Sequence, residues 1–347
     1  MKQSAIRESR SPRTVLITGA NGFIGSNLCH HFHHRGFRVY GLVRKTSDLR
    51  LLKGIEIELL FGDLLDAEIP ALPKNIDFVI HSASVVSDIA STASCRRGIL
   101  DITRRLTTAV RTQCPKLRRF VYISSALTLG FDARDISETR PGKSTRFLPY
   151  SRYKKDTEGF LQDLHRKSGF PMVILRPGDV YGPGDRTSCE KMLEGIEKGV
   201  PLIVGHGKYL FAFCYVKNLC IATELACLKE RATGRAYTVT NSYFPTWHEF
   251  FSGLQRGLGK TQRLYLPVAV AYAAAFLFTA LHKLIPGFNP PLTYYRIKRI
   301  TSDTTYDISN TISELGYRPD DDTAFQIQSI VDWYKGEKYP EEAGTGS

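Results

Sequence analysis

Short apolar runs alternate with longer segments of helical periodicity through the first half of the chain. The runs predict five strands, at residues 15–18, 37–43, 55–61, 76–81 and 120–125. The segments between and after them predict helices, at residues 26–35, 96–114 and from Pro149 to the stop at Gly169. Strands that alternate with helices in this way predict an α/β protein with a doubly wound parallel sheet, whose strand ends meet at one edge.

The turn after the first strand carries glycines with the spacing G-x-x-G-x-x-G, at Gly19, Gly22 and Gly25. The first glycine permits a tight turn, the second lets the backbone approach a pyrophosphate, and the third lets the helix pack closely on the strand. The N–H groups and dipole of the helix start then face the phosphates. We therefore expect a dinucleotide site here, with candidate contacts from the whole turn: Gly19, Asn21, Gly22, Phe23, Ile24 and Gly25.

Residues at the ends of the next strands are further candidates for cofactor binding. The second strand ends in Arg44, and a basic residue there tolerates the 2′-phosphate of NADP, so NADP is slightly favoured over NAD. Asp63 could accept a hydrogen bond from an adenine amino group while Leu64 packs on the ring. The fourth strand ends in the small residues Ser82 and Ala83, where a backbone can approach a bulky group closely.

Ser125, Tyr150 and Lys154 are the candidate catalytic residues. Tyr150 and Lys154 are four residues apart and share one helix face. A phenol is a poor base at neutral pH, but a nearby ammonium and an oxidised nicotinamide favour the phenolate. Tyr150 could then exchange a proton with a secondary alcohol or ketone, with Ser125 holding the substrate oxygen and Lys154 also holding the nicotinamide ribose.

Composition narrows the class of protein. The chain has 347 residues, 42% hydrophobic and 23% charged, as in ordinary globular proteins, and a net charge of +13 that favours anionic partners. No basic run is dense enough to indicate nucleic acid, and we expect the arginines at 104–105, 118–119 and 296–299 on solvated faces. The histidines at 30, 31, 33 and 34 lie on one helix with no carboxylate or cysteine among them, so we expect no metal.

The cysteines and the N-terminus bear on location. The chain has seven cysteines and no C-x-x-C pair, so we expect no zinc site. An odd number of cysteines without a secretory signal indicates a reducing compartment, and Cys220 and Cys227 are expected in the core. Residues 1–13 are polar and basic without an apolar stretch, so they do not resemble a signal peptide. We expect a cytoplasmic protein that could lie peripherally on a membrane.

With these motifs the chain resembles an extended short-chain dehydrogenase/reductase over residues 13–336. The pattern is carried by residues 18–25, 62–64, 124–126 with Gly130, 150–154 and 175–185. The resemblance implies that the last of these closes over the nicotinamide, with Pro177 to Val180 in contact with it. Two segments depart from the family pattern: residues 101–105 replace Asn-Val-x-Gly-Thr, and residues 82–84 replace Asn-Ala-Gly.

The C-terminal half favours one branch of the family. Nucleotide-sugar epimerases and dehydratases usually carry an arginine that grips the substrate diphosphate, where this chain has Phe211. Residues 215–219 resemble 3β-hydroxysteroid and sterol dehydrogenases, and Arg44 resembles dihydroflavonol-reductase-like members. The resemblance thus implies hydride transfer on a hydrophobic steroid-like or lipid-like substrate. The alternatives are a sugar epimerase with tightly bound NAD and a non-catalytic cofactor-binding sensor or assembly protein.

The domain organisation follows from the same resemblance. We expect tails at 1–12 and 336–347, a cofactor-binding domain at 13–175, and a smaller discontinuous substrate lobe mainly at 176–335. Segments near 214–216 and 236–240 are expected to return to the main fold. Members of the family often pair through the helices that include residues 150–165, which implies a homodimer.

An uncharged segment at residues 264–281 is followed by His282 and Lys283. Three structures are possible for this segment: a buried helix of the substrate lobe, a helix lying in a bilayer interface, or a membrane span. A span needs about 20 apolar residues, and this segment is marginal in length and contains Pro267. Peripheral membrane contact through residues 264–285 is therefore one expectation from the sequence.

Overall fold

The computed structural model describes residues 12–66, 68–201, 203–261, 265–285 and 287–338. Its main sheet has seven parallel strands, in the order β11-β7-β5-β4-β1-β2-β3. They are β1 (Thr14–Thr18), β2 (Arg38–Val43), β3 (Glu58–Phe61), β4 (Phe78–His81), β5 (Arg119–Ile123), β7 (Met172–Pro177) and β11 (Ala236–Val239). The order reverses between β1 and β4, which confirms the doubly wound sheet and places a crevice beside the glycine turn.

Six short strands form three parallel pairs outside the main sheet. They are β6 (Ala133–Ile136) with β13 (Thr304–Tyr306), β8 (Asp179–Tyr181) with β10 (Phe213–Tyr215), and β9 (Ile203–Val204) with β12 (Tyr265–Leu266). Of the two segments expected to return to the main fold, residues 236–239 join the main sheet, whereas residues 213–215 pair with β8.

The helices of the described chain are α1 (Phe23–His34), α2 (Thr92–Cys95), α3 (Ile102–Gln113), α4 (Pro149–Ser168), α5 (Cys189–Glu197), α6 (Val216–Leu228), α7 (Trp247–Gly257), α8 (Val268–Leu284), α9 (Tyr294–Ile300) and α10 (Thr323–Lys338). Helices α1 and α6 cover one face of the sheet, and α3 and α4 cover the other. A third cluster, rich in aromatic residues, joins α5, α7 and α10 in the smaller lobe. Helix α10 continues to Lys338, two residues beyond the predicted start of the C-terminal tail.

Several predicted boundaries shift. Helix α1 begins at Phe23 rather than at residue 26, because the glycine turn closes by Gly22 and the helix continues directly from it. Strand β3 begins at Glu58 rather than at residue 55. The helix predicted at 96–114 consists of α2, a π-helical stretch at Arg96–Asp101, and α3. This stretch adjoins the residues that depart from the family pattern.

Some charged residues expected on solvated faces are buried. Arg119 is buried and donates hydrogen bonds to Thr233 and to the carbonyl of Lys229, and Arg299 is buried against Asp179. The partners of Arg119 and Arg299 are far away in sequence. The residues next to each arginine in the chain therefore do not indicate that it is buried. The histidines of α1 have structural contacts: His31 binds Glu224 of α6, as does Arg35.

All seven cysteines are free and buried. Cys220 and Cys227 lie in the core between α6 and the sheet, as predicted. Burial raises the pKa of the Cys29 thiol to about 12 and that of Cys114 to about 11.

Candidate active site

The glycine turn between β1 and α1 is tightly closed. Gly19 has a φ of +66°, which L side chains rarely adopt, and its carbonyl accepts a hydrogen bond from the N–H of Gly22 at 3.0 Å. A Cβ on Gly25 would lie 2.0 Å from the Gly19 oxygen. Helix α1 begins without a side-chain cap and without an acidic residue in its first turn. Its N–H groups therefore remain available to an anion.

The end of β4 lies against this turn. A Cβ on Gly19 would lie 2.9 Å from the Cα of Ala83, so the two backbones touch. The Ser82 hydroxyl donates to the carbonyl of Thr18 at 2.7 Å, and the N–H of Ala83 donates to the Thr18 hydroxyl at 3.3 Å. Small residues are needed here because of this contact between strand ends.

The other predicted cofactor contacts lie at the same edge. Arg44 follows β2 and is exposed, and its N–H donates to the Ser47 hydroxyl. Asp63 follows β3, where one carboxylate oxygen accepts from the N–H of Leu65. Leu64 is buried in the core beneath this edge, so most of its side chain is already packed.

The predicted closing segment also reaches the turn. Pro177 ends β7, and Val180 lies in β8 beside Cys214. Asn27 of α1 donates a hydrogen bond to the carbonyl of Pro183 at 3.0 Å. The segment is thereby fastened to the first turns of α1.

His81, which the sequence reasoning did not single out, ties the strand ends together. Its two ring nitrogens form hydrogen bonds with the hydroxyls of Thr18, at 2.7 Å, and Thr103, at 3.0 Å. Complete burial lowers the pKa of His81 to about 3, and the charge of Lys154 acts in the same direction. The imidazole is therefore neutral and links β4, β1 and α3.

Ser125, Tyr150 and Lys154 are brought together across β5 and α4. The Lys154 ammonium donates to the carbonyl of Ile123 at 2.7 Å and lies 5.8 Å from the centre of the Tyr150 ring. It also lies 4.9 Å from the ring of Tyr122. Pro149 begins α4, so Tyr150 stands in the first turn, facing the end of β5.

Burial changes the protonation of both Tyr150 and Lys154, which are expected from the sequence as a phenolate favoured by an ammonium. Burial raises the pKa of the Tyr150 phenol above its ordinary value; a hydrogen bond with Ser125 lowers it and Asp179 raises it further. Burial lowers the pKa of Lys154 to about 7, against the opposing effect of Glu158. The phenol is thus neutral at pH 7, the state in which it can donate a proton.

A buried ionic cluster lies beneath these residues. Glu158, one turn after Lys154, accepts hydrogen bonds from Ser124 at 2.6 Å and from Thr128 at 3.1 Å. Arg176 of β7 donates to both Glu158 oxygens, at 3.0 and 2.8 Å, and also pairs with Glu138. The cluster fixes α4 to β5 and β7, and so fixes the positions of the candidate catalytic residues.

Another ion pair lies near Tyr150, whose pKa is raised by burial and also by the Asp179 carboxylate. Arg299 of α9 donates to Asp179 of β8 and lies 5.0 Å from the ring centre of Phe211. Tyr295 of α9 lies in ring contact with Phe131 at 5.7 Å and with the exposed Phe147 at 6.0 Å. This side of the site is therefore lined by aromatic rings around a neutralised charge pair.

The turn fits a dinucleotide. Its glycines leave space that a Cβ would fill, and its helix start presents unbound N–H groups toward the crevice. Residues of the turn would hold the pyrophosphate, and Lys154 lies at the same edge of the sheet, bound to the carbonyl at the end of β5. When bound, a nicotinamide cofactor supplies the acceptor or donor of a hydride.

Comparison with known proteins shows the family to which the chain belongs. The model of the NAD dependent epimerase/dehydratase family matches residues 15–240. The short-chain dehydrogenase/reductase family 42E member 1 of Xenopus laevis is 29% identical, over 95% of this chain and 90% of that protein. The decarboxylating sterol-4-alpha-carboxylate 3-dehydrogenase of Candida albicans is 25% identical, over 94% of this chain and 98% of that protein.

A solved structure shares the fold. The UDP-glucuronic acid 4-epimerase of Bacillus cereus, in complex with NAD, superimposes with a TM-score of 0.74 at 22% identity, over 93% of this chain and 99% of that one. The family model covers well over half of the sequence, and the extended short-chain dehydrogenase/reductase resemblance is confirmed. The protein belongs to the NAD dependent epimerase/dehydratase family and is an enzyme of the NAD-dependent short-chain dehydrogenase/reductase superfamily.

Proposed function

We propose that the protein is an NAD(P)-dependent oxidoreductase that transfers a hydride between the nicotinamide and a secondary alcohol or ketone of a hydrophobic, steroid-like or lipid-like substrate. Tyr150 donates its proton to the ketone oxygen during reduction and accepts it during oxidation. Ser125 positions that oxygen by a hydrogen bond. Lys154 favours the phenolate through its charge and holds the ribose.

The observation that carries the substrate class is the neutral, aromatic lining beside Tyr150. Phe211 is buried at the position where the nucleotide-sugar enzymes usually carry an arginine. Arg299 lies next to that ring, but its charge is paired with Asp179. A substrate diphosphate would meet the Asp179 carboxylate here, whereas rings such as Tyr295 favour an apolar, planar molecule.

The nucleotide-sugar epimerase is the alternative that the fold also permits. It would keep its keto intermediate bound and regenerate its cofactor, so no net cofactor turnover would be seen. A non-catalytic sensor or assembly protein is a further alternative. The presence of Tyr150, Lys154 and Ser125 argues against it, because these residues together could catalyse hydride transfer.

The test is absorbance at the reduced-nicotinamide band with a panel of 3-hydroxysteroids, flavanonols and aliphatic secondary alcohols, each with NAD and NADP. We expect net cofactor reduction with at least one apolar alcohol. Tyr150→Phe should abolish it while cofactor affinity is retained, and Tyr153→Phe, on the same helix, should leave it intact. Silence across the panel, with NAD released only on denaturation, would favour the epimerase.

The preference between cofactors is proposed from Arg44. Its exposed guanidinium follows β2, where it can meet the 2′-phosphate of NADP. We expect Arg44→Ala to weaken NADP binding about tenfold and to leave NAD binding nearly unchanged. Titration of both cofactors by calorimetry checks this, with the neighbouring Lys45→Ala as a control. Equal losses for both cofactors would contradict the assignment.

A further inference from the structure

Helix α8 turns its large apolar side chains away from the protein. Phe276 is 80% exposed and Leu284 77%, and Val270 and Leu277 are exposed on the same side. The opposite side carries the small residues Ala271 and Ala275, which are buried against Val204 and Ile297. A surface helix normally has the reverse arrangement, with polar residues outward. The exposed side therefore needs an apolar partner.

The length of α8 limits what that partner is. The helix has 17 residues, and no helix in the described part of the chain is long and apolar enough to cross a membrane. The exposure of its outward side does not fit the buried helix considered from the sequence. A helix lying along an apolar surface fits both observations.

The segment of sequence around α8 carries charge of one sign. Between Glu249 and Asp303 the chain has no acidic residue, but seven lysines and arginines. Arg296, Lys298 and Arg299 pair with acids of other elements. The same segment also has Arg256, Lys260 and Arg263 before α8 in sequence, and Lys283 near its end. A basic segment without acidic residues around an exposed apolar helix matches an anionic lipid surface.

The same charges argue against a second copy of the chain as the partner. A twofold dimer through α8 would place the same basic segment of both copies together. Like charges facing each other destabilise such an interface, whereas anionic headgroups neutralise them. We propose that the outward face of α8 lies in the interface of a bilayer that contains anionic phospholipid.

This placement brings the membrane close to the candidate active site. Tyr272 of α8 contacts the ring of Tyr294, at 5.2 Å between ring centres, and the adjacent Tyr295 lines the substrate side of Tyr150. Tyr294 and Phe147 are both largely exposed. An apolar molecule dissolved in the bilayer would thus lie one helix away from the site. The docking surface itself does not depend on the proposed reaction.

The test is co-flotation of the full chain with vesicles of phosphatidylcholine, with and without phosphatidylserine. We expect binding to the phosphatidylserine vesicles that weakens as salt is raised. Phe276→Glu and Leu277→Glu should each reduce the bound fraction about tenfold. The control, Phe325→Glu, changes an exposed phenylalanine of α10 and should bind as the wild type does.

Two further measurements keep the proposal falsifiable. Thermal unfolding should be similar for all variants, since each replaced side chain is exposed, so a loss of binding cannot be ascribed to misfolding. Light scattering tests the other occupant: a wild-type dimer that Phe276→Glu dissociates would overturn the proposal in favour of a second copy. Equal binding by wild type and α8 variants, or none by wild type, would also overturn it.

Discussion

At the scale of single residues, the glycine turn shows that close contact between backbone segments requires glycine at a given position. Gly25 lies in the first turn of α1, directly over the carbonyl of Gly19. A methyl group there would overlap with that oxygen, so either the strand end or the helix start would have to move. The movement would displace the N–H groups that we expect to bind the pyrophosphate.

Gly25→Ala should therefore lose cofactor binding and stability together. We expect the free energy of unfolding to fall by about 1–3 kcal/mol, because the added methyl group overpacks the turn. We expect the affinity for NADP to fall by about tenfold or more. Denaturant titration and calorimetry measure the two. Gly159→Ala, in the middle of α4 with open space around it, should instead be neutral or stabilising by about 0.5–1 kcal/mol. Normal cofactor affinity in Gly25→Ala would contradict this account of the turn.

Local spacing was enough to predict some residues of the site and not others. Tyr150 and Lys154 share a helix face, and Ser125 follows the end of a strand, so their closeness follows from the order of elements. Asp179 and Arg299 are far apart in the chain and meet only because α9 folds back over β8. Nothing in the sequence around Arg299 distinguishes it from a solvated arginine.

At the scale of elements, helix α4 is held to the sheet by charges rather than by apolar packing alone. The pair between Glu158 and Arg176 is fully buried, and Ser124 and Thr128 complete the hydrogen bonds of the carboxylate. Removing one partner of such a pair leaves a buried charge that water cannot reach. The same carboxylate also raises the pKa of Lys154.

Glu158→Gln should destabilise the protein by about 3–5 kcal/mol and lower the pKa of Lys154 further. Glu138→Gln, which changes the exposed partner of Arg176, should cost less than about 1 kcal/mol. Denaturant unfolding compares the stabilities, and the pH profile of turnover should shift for Glu158→Gln alone. Equal effects of the two variants would refute a specific role for the buried carboxylate.

The link that His81 makes between β4, β1 and α3 should depend on pH. The pKa of His81 is about 3 in the folded protein, compared with an ordinary value of 6.5. Between these two pH values the unfolded chain therefore binds a proton that the folded chain does not. Stability should therefore fall as the pH drops, by about 2 kcal/mol from pH 7 to pH 5 through this group. His81→Gln should show a weaker pH dependence by that amount.

Unfolding by denaturant at the two pH values measures this difference. The exposed His34, changed to Gln, is the matched control and should keep the wild-type pH dependence. If His81→Gln lost as much stability between pH 7 and pH 5 as the wild type, His81 would not be the group responsible.

Element types were predicted more accurately than their ends. The strands of the main sheet follow from apolar runs because parallel strands are buried on both faces. The start of α1 was predicted three residues late because Gly22 stands at its N-cap and Gly25 in its first turn, and glycine is a poor helix former. Helix α8 has the composition of a core helix, and only the fold shows that its large side chains face outward.

At the scale of the whole molecule, two chains are expected to associate. The resemblance places the pairing surface on the helices that include residues 150–165, which form most of α4, beside α3. Light scattering should give twice the mass of one chain, and the value should not change with Phe276→Glu. A monomer at micromolar concentration would contradict this expectation.

The seven cysteines give the folded molecule a property of practical use. Every thiol is buried, and burial favours its protonated form, while alkylating reagents attack exposed thiolates. The native chain should accordingly resist such reagents, and each molecule that opens fully would present seven targets at once. The rate of alkylation then measures how often the native state unfolds globally. The lifetime of the native state can thus be followed without denaturant and in the presence of any cofactor.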